Sequence, residues 1–294
     1  MNLENYLNPR MKYDFAIFIM VYGRPEKNKT FRMLKKNNFK GEVFLVADNT
    51  DEKLDGYIEK FGDKVLVFDK KKVAKTMDSG DNTMDLRSTL FSANTIFDLA
   101  EQKGYEYFFI FCDDYSDFNF KFNHKLQYKS RVVRNLDAMF HILLKYYKKI
   151  NVKTIAFAQG GDFIGGTEAH IINKGCGMKR KAMNTFLCST KRRFQFVGRL
   201  NEDCTTYVLL GSRGDLFYTI PNISVTQAPT LVTEGGLSDV YLDYGTYIKS
   251  FMSVMYNPSS IKVKMMGTKN KRIHHKINWI NAVPMLLNQK HKKI

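Results

Sequence analysis

Phe108-Phe109-Ile110-Phe111-Cys112-Asp113-Asp114-Tyr115 is a run of bulky apolar residues that stops on two adjacent carboxylates. Aromatic and β-branched residues with no polar alternation suit a strand covered on both faces, as central parallel strands are. In open α/β sheets, ligands collect just beyond the carboxyl ends of such strands. Two acidic side chains placed there repel each other, and a hard cation such as Mg²⁺ or Mn²⁺, bridging to substrate phosphates, would neutralise both. The alternative is a solvated turn that merely closes the strand.

Outward from this stretch, the N-terminal part alternates strand and helix. Residues 15–21 read as a first core strand, followed by a turn at Gly23-Arg24-Pro25 and a helix over 28–38. A strand over 42–48 ends on Asp48; a helix over 51–61 and a strand over 64–69 come next. Over 85–103 the apolar positions Leu86, Leu90, Ala93, Phe97 and Ala100 keep helical spacing, and Gly104 is placed to end that helix. Such alternation predicts an α/β fold, a mostly parallel central sheet flanked by helices with right-handed crossovers. Residues 130–148 read as a further amphipathic helix, with Val133, Leu136, Phe140, Leu143 and Tyr147 on its buried face. Beyond it, the glycine pairs at 160–161, 165–166 and 235–236 break the chain into shorter pieces, an α+β extension. No repeat or low-complexity linker separates the halves. The expectation is therefore one domain over about residues 11–288, with halves near 11–118 and 150–288 and short tails at 1–10 and 289–294.

With 294 residues, 44% of them hydrophobic, the chain can bury a sizeable core. Its 46 Lys and Arg against 29 Asp and Glu leave a net charge of +17, which points to a polyanionic partner, nucleic acid first and an anionic membrane surface second. Compositional drift toward Lys and Asn is the competing explanation. Four cysteines without C-x-x-C spacing suggest neither a disulfide framework nor a zinc site, so a reducing cytoplasm is expected. The apolar run at 15–21 is too short to span a bilayer and lacks a cleavage-like segment, so no membrane insertion or secretion is expected. No phosphate-cradling G-x-x-x-x-G-K-[ST] or dinucleotide-binding G-x-G-x-x-G run is present.

The order of the pieces is more specific than any one of them. A strand, then Gly-Arg-Pro, a strand ending in Asp48, a helix carrying Arg87 and Asn94, and an apolar strand ending in Asp-Asp resembles the donor half of GT-A-fold glycosyltransferases, a Rossmann-like scaffold. The segment Gly198-Arg199-Leu200-Asn201-Glu202-Asp203 resembles the Glu-Asp element that opens the acceptor-side helix in many inverting members. Together with Gly245-Thr246-Tyr247 and Arg272-Ile273-His274-His275-Lys276-Ile277-Asn278-Trp279, the order is similar to the phage and kinetoplastid TET-associated glycosyltransferases, which sugar-modify hydroxymethylated DNA bases. The likeness spans roughly residues 13 to 287. It implies transfer of a hexose, glucose from UDP-glucose in the first instance, to hydroxymethylcytosine or hydroxymethyluracil in DNA.

The resemblance also implies roles. Asp114 would hold a divalent cation that offsets the charge of the leaving diphosphate, with His274 or His275 as a second ligand. In the family's Asp-x-Asp pattern the first position here is Cys112, which removes one expected contact to the donor and leaves Asp113 in the middle. Asp48 would accept hydrogen bonds from the uracil or ribose, Gly23 and Arg24 would lie beneath the nucleotide, and Arg87, on one helix face with Asn94, would reach the diphosphate. Asp203 would be the base that takes the acceptor proton, with Glu202 in that role if the register slips by one. Acceptor binding would fall to Lys179, Arg180 and Lys181 and to Lys191, Arg192 and Arg193, the latter run followed by Phe194 and Phe196 for base stacking. Gly160, Gly161 and Asp162 would form a pocket wall where backbone approaches sugar or base. Each residue also has an ordinary reading as turn former, surface ion pair or helix-end carboxylate. Two other functions stay open: a catalytically silent DNA-binding protein on this scaffold, or a glycosyltransferase acting on protein or polysaccharide.

Overall fold

Phe15–Met20 forms β1, and its first five residues are buried, because neighbours flank it on both sides and helices cover both faces. The computed structural model describes residues 13–81, 83, 85–169, 171, 181–228, 236–267 and 271–282. Around β1 lie β2 (Val43–Asp48), β3 (Val65–Phe68), β4 (Tyr107–Cys112), β5 (Tyr115–Phe122), β6 (Tyr128–Val132), β7 (Thr154–Gln159), β8 (Phe186–Ser189) and β9 (Phe217–Gln227). They join in one sheet in the order β3-β2-β1-β4-β8-β7-β9-β5-β6. Only β5 and β8 run against the other seven strands. The mostly parallel α/β sheet expected from the strand–helix rhythm is the observed architecture.

The helices are α1 (Lys29–Lys36), α2 (Leu54–Phe61), α3 (Lys70–Ala74), α4 (Leu90–Gln102), α5 (Leu136–Lys149), α6 (Glu202–Ser212), α7 (Leu237–Tyr244), α8 (Ile248–Tyr256) and α9 (Trp279–Ala282). Strand periodicity divides the apolar residues of β4 between two layers. Phe109 and Phe111 pack with Phe15, Ile17 and Phe140 of α5 on one face, and Phe108 and Ile110 pack with Phe18, Ile96 and Phe97 of α4 on the other. This explains why the stretch shows no polar alternation: both of its faces are interior.

Two helix starts differ from expectation. The helix expected from residue 85 begins at Leu90, whose N–H donates to the Ser88 hydroxyl at 2.9 Å, so Arg87 lies in the loop before it. The helix expected from residue 130 begins at Leu136, capped by the Asn135 side chain, because Tyr128–Val132 pairs with β5 as an edge strand. Its five expected core positions are all buried nonetheless. Finally β10 (Ile261–Met266) and β11 (Arg272–Ile277) form a separate antiparallel ribbon against α8.

Candidate active site

The chain reverses direction just after β4, and the start of α1 holds that turn. The Asp113 carbonyl accepts the N–H groups of Lys29 and Thr30 at 2.9 and 3.1 Å, two of the orphan donors that every helix start exposes. The Thr30 hydroxyl donates to the Cys112 carbonyl at 2.6 Å and accepts the Tyr115 N–H at 2.9 Å. Asp113 is thereby buried, with Oδ1 accepting Arg24 Nη2 at 2.7 Å. Asp113 Oδ2 and Asp114 Oδ1 are buried and have no hydrogen-bond partner among the described residues. Burial pushes the Asp113 carboxyl up to about 6, the Arg24 guanidinium opposing and the Asp114 charge assisting; Asp114 is raised too, by burial against the pull of Arg24. Cys112, raised well above its ordinary value by burial and Asp114, is a neutral thiol.

These groups open onto a cavity of about 310 Å³ at the carboxyl ends of β1, β2 and β4, closed from the other side by the starts of α4 and α6 and by α7 and α8. Its walls carry Asp48, Lys70, Asp113, Asp114, Glu202, Asp203 and Lys249. Asn201, at φ +58°, aims the first turn of α6 into it; this left-handed backbone is one that Asn tolerates better than most residues. The Asn201 amide nitrogen donates to the Ser253 hydroxyl and lies 3.4 Å from His275 Nδ1. Glu202 accepts a hydrogen bond from the Thr89 hydroxyl, and burial together with the Asp203 charge pushes its carboxyl up to about 7. Asp203 is raised by burial as well. It accepts the Cys204 N–H at 2.6 Å and feels Lys181 and Lys249, all of which favour its charged form. Within the pair, Asp203 is the carboxylate that ionises first, and Glu202 keeps its proton to near neutrality.

A family model for TET-associated glycosyltransferases matches residues 15–236, three quarters of the chain and all of this site except α7 and α8. The chain belongs to that family. No curated protein matches the sequence. Among solved structures, glucosyl-3-phosphoglycerate synthase from Mycobacterium tuberculosis, in complex with Mg²⁺ and uridine diphosphate, is similar at TM-score 0.45 and 6% identity, over 90% of this chain and 87% of that one. The same synthase with Mn²⁺, UDP-glucose and phosphoglyceric acid is similar at TM-score 0.44 and 5% identity, over 88% and 86%. A likeness this remote bears on neither the donor nor the metal of the present glycosyltransferase.

The remaining expected residues divide into those the fold brings to the cavity and those it does not. Arg24, Asp48 and Arg87 line it. Asp48 is no lone acceptor: Oδ2 pairs with the buried Lys70 at 2.8 Å and Oδ1 accepts from the Thr50 N–H and hydroxyl. Arg87 is held by Asp85 and Asp243, at 2.8 and 2.6 Å, so its reach to a diphosphate would require breaking two ion pairs. Gly23 donates its N–H to Asp51 at 2.7 Å and owes its identity to φ +70°. Asn94 is a correction: it is buried and does not line the cavity, and its amide both donates to and accepts from the Phe196 backbone at 2.9 and 2.8 Å.

The expected cationic run is a second correction. β8 pairs with β4 with Ser189 beside Tyr107, so Lys191, Arg192 and Arg193 sit past the amino end of β4, about 20 Å of strand away from Asp113. There Lys191 pairs with Glu106, Arg193 with Asp98 and Glu101, and Arg192 donates to the carbonyls of Tyr147, Ile150 and Val152. Phe194 packs on Phe97, and Phe196 packs on Phe186, both of the latter pair lining the cavity. Gly160 and Gly161 face open space, and Asp162 accepts the Gln159 N–H and lies 3.7 Å from Lys181; none of the three lines the cavity. Lys179 and Arg180 lie outside the described residues.

The histidine pair does not line the cavity. His274 and His275 sit beside Asn201, Lys249 and Lys181, and burial and those cations hold both rings below their ordinary value, His275 at about 3. Among the described residues no three His, Cys, Asp or Glu side chains converge as a metal site. The carboxylates at the end of β4, with two unpartnered oxygens, suit a hard cation whose other positions are filled by diphosphate oxygens and water, the usual arrangement for Mg²⁺. Lys70, Thr89 and Lys249 complete the site without any spacing signal in the sequence; sheet order and the fold of α8 bring them in.

Proposed function

We propose that this glycosyltransferase moves a hexose, glucose from UDP-glucose being the first donor to examine, onto the hydroxyl of a hydroxymethylated pyrimidine in DNA, with inversion at the anomeric carbon. The observation that carries the reading is the meeting of two carboxylate pairs in one cavity, Asp113-Asp114 at a strand end and Glu202-Asp203 at a helix start. The family and the +17 charge favour the DNA acceptor.

In this reading the nucleotide lies over the carboxyl ends of β1 and β2, where the Asp48–Lys70 pair offers a fixed acceptor and donor and Arg24 lies beside the phosphates. A Mg²⁺ or Mn²⁺ ion on Asp114 would supply charge neutralisation of the departing diphosphate. Asp203 takes the proton from the acceptor hydroxyl as its oxygen forms the bond to the anomeric carbon; the bond from that carbon to the diphosphate oxygen breaks, and UDP leaves with the electron pair. Glu202, protonated to near pH 7, leaves the pair with a single charge. Lys249, whose own proton burial makes easier to lose, faces Asp203 and holds that charge in place. A base inside a duplex cannot reach the cavity, so the target nucleotide is taken single-stranded or extruded.

Incubation with radiolabelled UDP-glucose, Mn²⁺ and DNA containing hydroxymethylcytosine or hydroxymethyluracil is the test. Label should enter the DNA; no incorporation from any common sugar nucleotide would refute the proposal.

A further inference from the structure

No Asp or Glu follows Asp243 in the chain, whereas ten of the 46 Lys and Arg do. The structure concentrates part of this excess on one side of the β10–β11 ribbon. Residues directly opposite in an antiparallel pair project to the same face, and here Lys262 faces Lys276, Lys264 faces His274, and Met266 faces Arg272. The other face carries Ile261, Val263 and Met265 opposite Ile277, His275 and Ile273. Ile261 is fully buried, Ile277 packs with the core under α6, and His275 touches Asn201, so the apolar face at the ribbon's base turns inward. Lys262, Lys264, Arg272 and Lys276 are all exposed, and none has an ion pair among the described residues. Like charges directly opposite on a sheet destabilise it. A ribbon that keeps them without a single acidic neighbour on either strand is complementary to a dense row of negative charge.

We infer that this basic face is where the phosphate backbone of the acceptor DNA lies. The inference rests on the DNA acceptor proposed above and replaces the Lys191–Arg193 run, whose charges are neutralised at the wrong end of the sheet. The geometry supports it twice. The major groove admits a two-stranded ribbon, and a row of exposed lysines suits contact with phosphates. The ribbon's base also touches Asn201, the residue that opens α6, so DNA held on the outer face is brought next to Glu202 and Asp203.

The test compares the full chain with K262Q/K264Q/K276Q and K262E/K264E/K276E in fluorescence anisotropy with a short labelled duplex at rising salt. Three lost phosphate contacts should flatten the slope of log affinity against log salt by about 2.7, so between about 50 and 200 mM salt the parent loses about 40-fold more affinity than the glutamine variant. Melting with and without UDP verifies that each variant keeps its fold and donor site, and the glutamine variant stands if the charge reversal does not fold. KM for DNA should rise and kcat stay unchanged. A parent that glucosylates DNA while the variant keeps the parent's salt slope overturns the ribbon assignment alone. A parent that binds no DNA, including one that binds only mixed phosphatidylserine–phosphatidylcholine vesicles, overturns both this assignment and the DNA acceptor.

Discussion

Asp113→Asn should make the protein more stable and the enzyme worse. Asp113 is 5% exposed, and its carboxyl titrates at about 6 in the fold against an ordinary 3.8. For an acid whose folded value is raised, the native state holds a proton that the unfolded chain has released. Below pH 4 both states are protonated and the group costs nothing; between about 4 and 6 native stability falls as pH rises, and above 6 the whole cost is present. At about 1.4 kcal/mol per pH unit, the rise from 3.8 to about 6 is worth about 3 kcal/mol at pH 7 to 8. Asparagine keeps the shape and an acceptor for Arg24 Nη2 without the buried charge. The variant should therefore gain up to about 3 kcal/mol in urea unfolding at pH 7.5, a rise of about 6 °C in Tm for a chain of this size. Parent and variant should converge near pH 4. Equilibrium unfolding of both across pH 4 to 8 is the assay. A variant that melts at or below the parent at pH 7.5, or a gap that does not close in acid, would show that the carboxylate is not held against its own repulsion and that the argument for a cation partner is wrong.

Asp114→Ala should remove the stabilisation that Mn²⁺ with UDP gives the parent in a thermal melt, and should lower transfer by at least about 100-fold. Transfer at the parental rate by this variant would exclude a catalytic cation on that carboxylate. Asp203→Asn should lower kcat by about 10²–10⁴ while UDP still shifts the melting temperature as in the parent; Glu202→Gln should cost less and abolish the inflection near pH 7 that the pair gives the kcat/KM profile. Asn94→Ala leaves the Phe196 N–H and carbonyl without partners in the core, so it should lose about 2–4 kcal/mol of stability and leave KM for the donor unchanged. A raised donor KM at full stability would return Asn94 to the donor site.

Local periodicity and strand-end chemistry were legible along the chain. The uninterrupted apolar run of β4 announced a strand buried on both faces, the spacing of Leu90, Ala93, Phe97 and Ala100 announced α4, and the carboxylates after β4 announced a place where charge is needed. These signals are local because a strand or helix face is written within a few residues. Order alone brought Asp113-Asp114 and Glu202-Asp203 under one reading as donor and acceptor sides. Tertiary structure decided what lies at which end. Lys191-Arg192-Arg193 looks like a nucleic-acid patch in the sequence, yet the antiparallel register of β8 against β4 carries it past the amino end of β4, where acidic side chains and backbone carbonyls neutralise it. Asn94 keeps helical spacing with the site residues and is still claimed by the Phe196 backbone, 102 residues on. Lys70 and Lys249 reach the cavity, and four cations gather on one ribbon face, because pairing between distant segments sets which side chains meet, and no run of neighbouring residues encodes that pairing.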